Sequence, residues 1–450
     1  MAVVTVPAES EPTESKPTDA ADRPVDLPYL GVTYDLTSSS PMELLTRLGD
    51  LCRIVWIVDA GDEALGPMRR LLTRAGTVFD TEGRPPAEVA AALVDARFEG
   101  HPLAGVIAFT DSQLVPAATI ADVLGLPGNP MSAVTRLNDK YHQRQAMLDA
   151  GLAVPAFVRI PTGSDPAAGA ALASGLRTPL VLKPLRGDSS RDVVAVADRA
   201  ELQAALTVVA TRDVTGDLIV EEYLADREPA ANGRIGGYVS VESLVVDGEV
   251  IPVAITGKFP LAHPFRETGN FMPHPLDAAG ASEVIDLSGA AARSLGVRSG
   301  ALHTEIKLTP DGPRIIEVNG RIGGGAIDAL YARRFGTSLT ELAAAIALGI
   351  APDAIAELPA SADGPFLYEF FAQPPTTATA LRAIGGLDAI VGVAGAESVS
   401  PNRSTGDALD WRNGSQGYVL RVSGTADDLA VLGSVPTAVL TAALIEYDED

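Results

Sequence analysis

The segment HTEIKLTPDGPRIIEVNGRIGGG, His303 to Gly325, constrains this chain more than any other stretch. Two apolar-alternating runs flank Asp311-Gly312, a turn pair, so the segment reads as an antiparallel hairpin. With Leu308 and Arg314 as the last paired residues, Glu305 lies opposite Glu317 and His303 opposite Asn319. Side chains alternate along a strand, so Glu305, Glu317 and Asn319 share one face, while Ile306, Leu308, Ile316 and Val318 form the other and pack inward. Directly opposed carboxylates repel unless something neutralises them. A hard divalent cation with oxygen ligands does so. Magnesium takes one or two protein carboxylates and fills its octahedron with water and substrate phosphates; manganese is the alternative ion. Phosphate chemistry is therefore expected on this face, with Arg321 adding positive charge where a transferring phosphoryl group becomes negative. The bland alternative is a solvated hairpin whose charges are kept apart by Lys307. The glycines of Gly320–Gly325 favour the ligand reading, because backbone packed close to a ligand needs them and a surface hairpin does not.

At 450 residues the chain exceeds what one core organises, so several domains are expected. A hydrophobic fraction of 46% and a charged fraction of 20% exclude wholesale disorder. The net charge of −24 argues against a sequence-independent grip on nucleic-acid phosphates. A single cysteine, Cys52, excludes an intramolecular disulfide framework and a cysteine-based zinc site, and fits a reducing cytoplasm. The longest uncharged apolar stretch, Leu429 to Ile445, contains Pro436 and falls short of a membrane span, so no membrane partner is expected.

Residues 1–27 read as a disordered acidic tail, with Pro12, Pro17 and Pro24 among Glu11, Glu14, Asp19 and Asp22. In 28–130, short strands at Leu30–Tyr34, Leu51–Val58 and Gly105–Phe109 alternate with helix-like Pro41–Leu48, Leu65–Ala75 and Pro86–Phe98. That alternation predicts a parallel α/β sheet. In 131–350, Met131 to Gly151 reads as one helix capped by Ser132. Strands follow at Pro179–Lys183 and Leu218–Tyr223, then a hairpin around Asp247-Gly248. Helices are expected at Ile327–Phe335 and Ser338–Leu348. Residues 351–450 read as a C-terminal α+β unit with strands at Phe366–Phe371, Gly417–Val422 and Ile445–Tyr447.

Lys183 ends a strand and enters Pro184–Asp192, where Gly187 permits tight backbone and Ser189 and Ser190 offer hydroxyls and amides to phosphate oxygens. Lys183 itself supplies a point charge for a phosphate. Lys140 lies on the helix before Gly151, and Glu221-Glu222-Tyr223-Leu224 ends a strand. A lysine helix, a lysine with a flexible loop, an EEYL strand and an E–E–x–N hairpin with its arginine occur in that order. The set resembles the ATP-grasp superfamily over roughly Met131–Gly349. The resemblance implies an ATP-grasp fold of α/β and α+β parts, with an N-terminal parallel domain and a C-terminal lid-like domain. It implies ATP and Mg2+ as cofactors. Lys140 and Lys183 would bind phosphates with Ser189 and Ser190; Glu221, Tyr223 and Leu224 would border the adenine, and Glu228 the ribose. Glu305, Glu317 and Asn319 would be metal ligands, and Arg321 and Lys183 would act on the acyl-phosphate step.

Within the superfamily, Tyr238–Lys258, then Pro264–Asn270 (PFRETGN), then His303–Pro313 look most like L-amino acid ligases of the bacilysin synthetase type. Those join an amino acid carboxylate to an amine. The resemblance puts Lys258, Arg266, Glu267, Arg321 and Gly324 on the substrate side, with Glu267 as ammonium partner. Three departures stand out: Asp192 where the phosphate loop often has a second glycine, Asn270 in place of a histidine, and an apparent insertion at Pro229–Gly237. The expected activity is ATP-dependent carboxylate–amine ligation by a cytoplasmic enzyme, a homodimer as is common among those it resembles. The Asp188–Asp192 loop and the C-terminal segment are the lid candidates. The alternatives are a carboxylase of the biotin-carboxylase or purine-carboxylase kind and a non-catalytic nucleotide-binding protein. His303 reads as a core histidine, and His101, His142, His263 and His274 as surface residues.

Overall fold

The computed structural model describes residues 4–5, 27–212, 216–227, 234–350 and 364–449. Glu228, most of the acidic tail and most of the expected insertion lie outside these residues. The alternating strands of the first part pair as expected. Thr77–Asp80, Arg53–Val58, Tyr29–Thr33 and Leu103–Ala108 form a four-stranded parallel sheet in that order. Its Tyr29–Thr33 strand is buried throughout, as befits a parallel sheet covered on both faces.

Four strands of the middle region, Phe157–Ile160, Leu218–Glu222, Leu180–Pro184 and Val194–Val196, form a second sheet, antiparallel throughout. Helices Pro166–Leu172 and Arg199–Ala210 supply its core with Ala170, Leu202 and Leu206. The helix expected over Met131–Gly151 is two helices, Met131–Asn138 and Lys140–Asp149. Asp139 breaks it: its backbone is extended, and its carboxylate accepts from the amides of Tyr141 and His142, both at 3.1 Å. An aspartate there offers the second helix an N-cap, which outweighs continuous helical periodicity. Ser132 makes no cap, and Pro130 precedes the first turn instead.

The largest sheet has nine strands. From its inner edge they run Gly312–Asn319, Gly300–Thr309, Tyr238–Val246, Glu249–Lys258, Gly269–Met272, Phe366–Ala372, Leu420–Ala426, Ala396–Pro401 and Val4–Thr5. The expected C-terminal unit therefore shares a sheet with the middle region, through antiparallel pairing of Gly269–Met272 with Phe366–Ala372. The helix Leu429–Ala442 covers this end and contains Pro436. Among the described residues no helix is long and apolar enough to cross a membrane.

Alternation sorts the two faces of the sheet. Val239, Val241, Ile255, Ile306 and Val318 join Val284, Ala291 and Leu295 of the helix Ala278–Leu295 in one core. The opposite face is polar: Ser240, Glu242, Thr256, Lys258, Asn270 and Glu369 are all buried there. Asp139 holds the turn that sets Lys140 under this face. Asp139→Ala should cost about 1–2 kcal/mol, read as a lower urea midpoint; an unchanged midpoint would count against the cap.

Candidate active site

The hairpin pairs Glu305 with Glu317 and His303 with Asn319, as the turn suggests, but by a different route. At the turn Leu308 faces Pro313 and Thr309 faces Gly312, one residue out of the expected register. A bulge between Glu305 and Ile306 restores it. In consequence Ile315, not Ile316, packs inward, and Ile316 joins Glu317 on the cavity side.

Each carboxylate has a cationic neighbour. The Lys140 ammonium lies 2.8 Å from Glu317 Oε1 and donates to the Gly187 carbonyl at 3.0 Å. His303 Nε2 lies 3.4 Å from Glu305, and its Nδ1 lies 2.9 Å from the buried Glu242. Burial opposes charge on the imidazole, but Glu242 and Glu305 overcome it and raise His303 to about 9. Burial likewise works against the Glu305 carboxylate, yet His303, Lys258 and Arg321 hold it down to about 2. His303 is thus buried as expected, and its imidazole stands between Glu242 and Glu305.

Lys183 is buried at the end of its strand, 2.6 Å from Glu221 Oε2, and Arg144 Nε donates to Glu221 Oε1 at 2.7 Å. Burial lowers the Lys183 ammonium, and Arg144 and Lys140 add to that against the pull of Glu221. Three cations, Lys140, Lys183 and Arg144, here contact two carboxylates, Glu221 and Glu317, a local excess of positive charge that suits an anionic ligand. Glu221, held between Arg144 and Lys183, lines the cavity together with Tyr223, Leu224 and Ile316. Asp192, where a second glycine is common, takes the left-handed backbone that a glycine would take, at φ +54°.

Arg321 lines the same cavity, its guanidinium held by Asp111 at 2.8 and 2.9 Å. Glu267 also lines it, bound by the Lys258 ammonium at 3.0 Å and by the Tyr238 hydroxyl at 3.4 Å. Gly324 lines the wall with no atom within 4 Å of where a Cβ would stand. Arg266 differs from expectation: its guanidinium donates to the carbonyls of His263 and Pro374 and is not among the lining residues. That buried arginine shapes the loop beneath Glu267. Asn270 is fully buried, and among the described residues neither carboxamide atom has a hydrogen-bond partner.

These residues enclose a cavity of about 790 Å3 between the antiparallel four-stranded sheet and the polar face of the large sheet, with Phe109–Asp111 of the parallel domain at its rim. Arg144 and Asp111 were not singled out from sequence. Arg144 stands four residues after Lys140, on the same helix face, and that spacing was a usable signal. Nothing local marked Asp111 beyond its place at the carboxyl end of a parallel strand.

Among the described residues no group of three or more His, Cys, Asp or Glu side chains is arranged to hold a metal ion. The candidate oxygen donors expected from sequence, Glu305, Glu317 and Asn319, are two carboxylates and a carboxamide. Among the described residues no partner contacts Asn319 Oδ1, while Nδ2 makes one long contact, 3.5 Å, to the His303 carbonyl. All donors are hard oxygens and only two are carboxylates, which fits magnesium completed by phosphate and water.

Glu221 is held at about 2 by Arg144 and Lys183 despite burial, against an ordinary value of 4.5. A folded pKa below the unfolded one gives stability that is full above the unfolded value and is lost as pH falls towards 2. That contribution is at most about 3 kcal/mol. Glu221→Gln should therefore lie well below the wild type in urea midpoint near neutrality, with the gap closing as the pH drops through that window. A gap independent of pH would contradict the ion triad.

Residues 176–329 match the ATP-grasp domain model. Alanine–anticapsin ligase of Bacillus subtilis strain 168 is 28% identical over 242 residues, 51% of this chain and 50% of that protein. D-alanine–D-alanine ligase of Azoarcus sp. strain BH72 is 27% identical over 239 residues, 51% of this chain and 73% of that protein. The chain thus spans about half the length of the first of these relatives. The crystal structure of L-amino acid ligase from Bacillus licheniformis superposes with a TM-score of 0.74 at 21% identity, covering 94% of this chain and 99% of that one. The Glu305–Glu317 hairpin, Lys183 and the Gly320–Gly325 turn all fall inside residues 176–329, the part of the chain that matches the ATP-grasp domain.

Proposed function

We propose that the protein joins a carboxylate, most suitably that of an amino acid, to an amine through an acyl phosphate, releasing ADP and phosphate. The observation that carries this reading is the direct opposition of Glu305 and Glu317 in a cavity that also holds Lys140, Lys183 and Arg321. The similarity to alanine–anticapsin ligase supports an amino acid as substrate.

Glu305, Glu317 and Asn319 are the residues that would hold magnesium, whose chemistry there is to neutralise phosphate oxygens. Lys183 and Lys140 draw the phosphates towards the Gly187–Ser190 backbone. Arg321, held by Asp111, meets the charge that grows on the transferring phosphoryl group. Glu267 takes the ammonium of the amino acid and is aimed by Lys258 and Tyr238. The substrate carboxylate attacks phosphorus, ADP leaves, the amine attacks the acyl carbon and phosphate departs. No protein nucleophile is needed, and positioning supplies most of the rate.

A phosphate-release screen over amino acid and amine pairs, with mass spectrometry of the products, tests the reading. Amine-dependent ADP formation is expected, and ADP formation that depends on bicarbonate instead would favour the carboxylase alternative. Nucleotide binding without turnover for every pair would favour a non-catalytic protein. Glu317→Gln should lower ADP formation by roughly 10²–10³-fold with the fold intact; near-normal turnover would remove Glu317 from the metal site. Lys183→Ala should weaken ATP binding by about tenfold; unchanged affinity in calorimetry would contradict its phosphate contact.

A further inference from the structure

The turn Trp411–Gly417 lies between the Gly187–Asp192 loop and the loop that carries Glu267, and it is bonded to both. Towards the first loop, the Ser415 amide donates to the Ser189 carbonyl at 2.7 Å, and the Asp192 amide donates to the Arg412 carbonyl at 3.1 Å. Gln416 Nε2 donates to the Ser189 hydroxyl at 3.3 Å, and Arg212 bridges Asp192 and Asp410 at 3.3 and 3.8 Å. Towards the second, the Ser415 hydroxyl accepts from the Glu267 amide at 2.9 Å. Gln373 Nε2 ties the two together by donating to the carbonyls of Glu267 and Ser415, at 2.7 and 2.8 Å.

The contact is shaped to one residue type. Gly414 sits at φ +70°, and a Cβ there would stand 2.0 Å from the Ser189 carbonyl oxygen. Only glycine permits that approach. The loop it meets holds Ser189, Ser190 and Asp192 at φ +55°, +57° and +54°. Such backbone is disfavoured for these residues and persists where the surroundings over-determine it. The surroundings here include Arg412 and Ser415.

We propose that Ser415 is a positioning residue that couples the two halves of the site: ordering of the Gly187–Asp192 loop by a nucleotide is passed through Ser415 to the Glu267 loop. This rests on the reading of that loop as phosphate-binding. Ser415 bonds both loops with its own backbone and side chain, so the path is one residue long. Coupling of this kind is a free energy shared between sites and acts in both directions. Its chemical use is to set the ammonium partner when the phosphates are in place, which limits loss of an activated carboxylate to water.

Hydrogen exchange of the whole chain with AMP-PNP and magnesium tests it. In the wild type the nucleotide should slow exchange in 186–192 and also in 262–268, the latter by about fivefold, the lower end of usual coupling between sites. Ser415→Ala should keep the first effect and lose the second, and Ser415→Thr, which retains the hydroxyl, should restore it. Unchanged nucleotide-induced protection of 262–268 in Ser415→Ala would overturn the proposal, as would a wild type protected at 186–192 alone. ADP release is read separately. A coupled wild type that turns over no carboxylate–amine pair would sink the ligase reading and leave Ser415 standing; an ADP-forming wild type without the second protected segment does the reverse. Absence of protection in both segments overturns both.

Discussion

Two glutamates face each other across neighbouring strands, and much of the molecule is organised around that repulsion. At a separation of about 5 Å and an effective dielectric near 20, two like charges cost about 3 kcal/mol. Left to solvent, such a pair is easily removed by rotating the side chains apart. Here the hairpin sits under a nucleotide-sized cavity, with Lys140 against one carboxylate and His303 against the other. The bulge beside Glu305 keeps both acids on the cavity face while the apolar residues after them still reach the core. Without it, the one-residue offset at the turn would carry through the hairpin and send one member of the pair to the wrong side.

The same logic extends across the sheet. Register links Glu305 to Ser240, Ser240 to Thr256, Lys258 to Asn270 and Asn270 to Glu369, so one polar face runs from the hairpin towards the C-terminal strands. Buried charges are tolerated when each has a partner, and most along this face do: Glu242 with His303, Lys258 with Glu267, Glu369 with Arg421. Such pairs do little for net stability, because desolvation consumes most of what attraction returns. Their effect is to fix directions, so that Glu267 and Arg321 reach the cavity already aimed.

How much of this was legible in the sequence depended on the range of the signal. Glu305, Glu317 and Asn319 were readable as one face because strand alternation and a turn pair act over a few residues, and the pairing survived a wrong assumption about the turn. Ile316 was misplaced for the same reason, since a bulge leaves no local mark. No local pattern marked Lys140 as buried, because its docking under Glu317 is a tertiary contact. The helix Ala278–Leu295, the longest among the described residues at 18 residues, went unread because alanine, glycine and serine dilute its apolar stripe. Its buried positions are mostly small, and small residues carry little hydrophobic contrast however closely they pack. Arg266 followed from resemblance alone, and its contacts with two carbonyls are long-range facts that no spacing encodes.

The continuity of the nine-stranded sheet also bears on how the cavity can close. A separate cap hinged over the site is not what the described part of the last hundred residues forms. Instead, Phe366–Ala372 and Leu420–Ala426 are antiparallel neighbours in the sheet that carries Glu305, joined to it by the four residues Gly269–Met272. A sheet so bonded resists shear between its halves, so large hinge motion within it would break many ladder bonds at once. Among the described residues the four-stranded sheet that carries Lys183 shares no ladder with the large sheet. Closure is therefore easier as a movement of that smaller sheet and its loop against a rigid floor than as a movement of the C-terminal part. In that arrangement the turn at Gly414 and Ser415, which is bonded to the loop after Lys183, would be the place on the floor where a movement of that loop is felt.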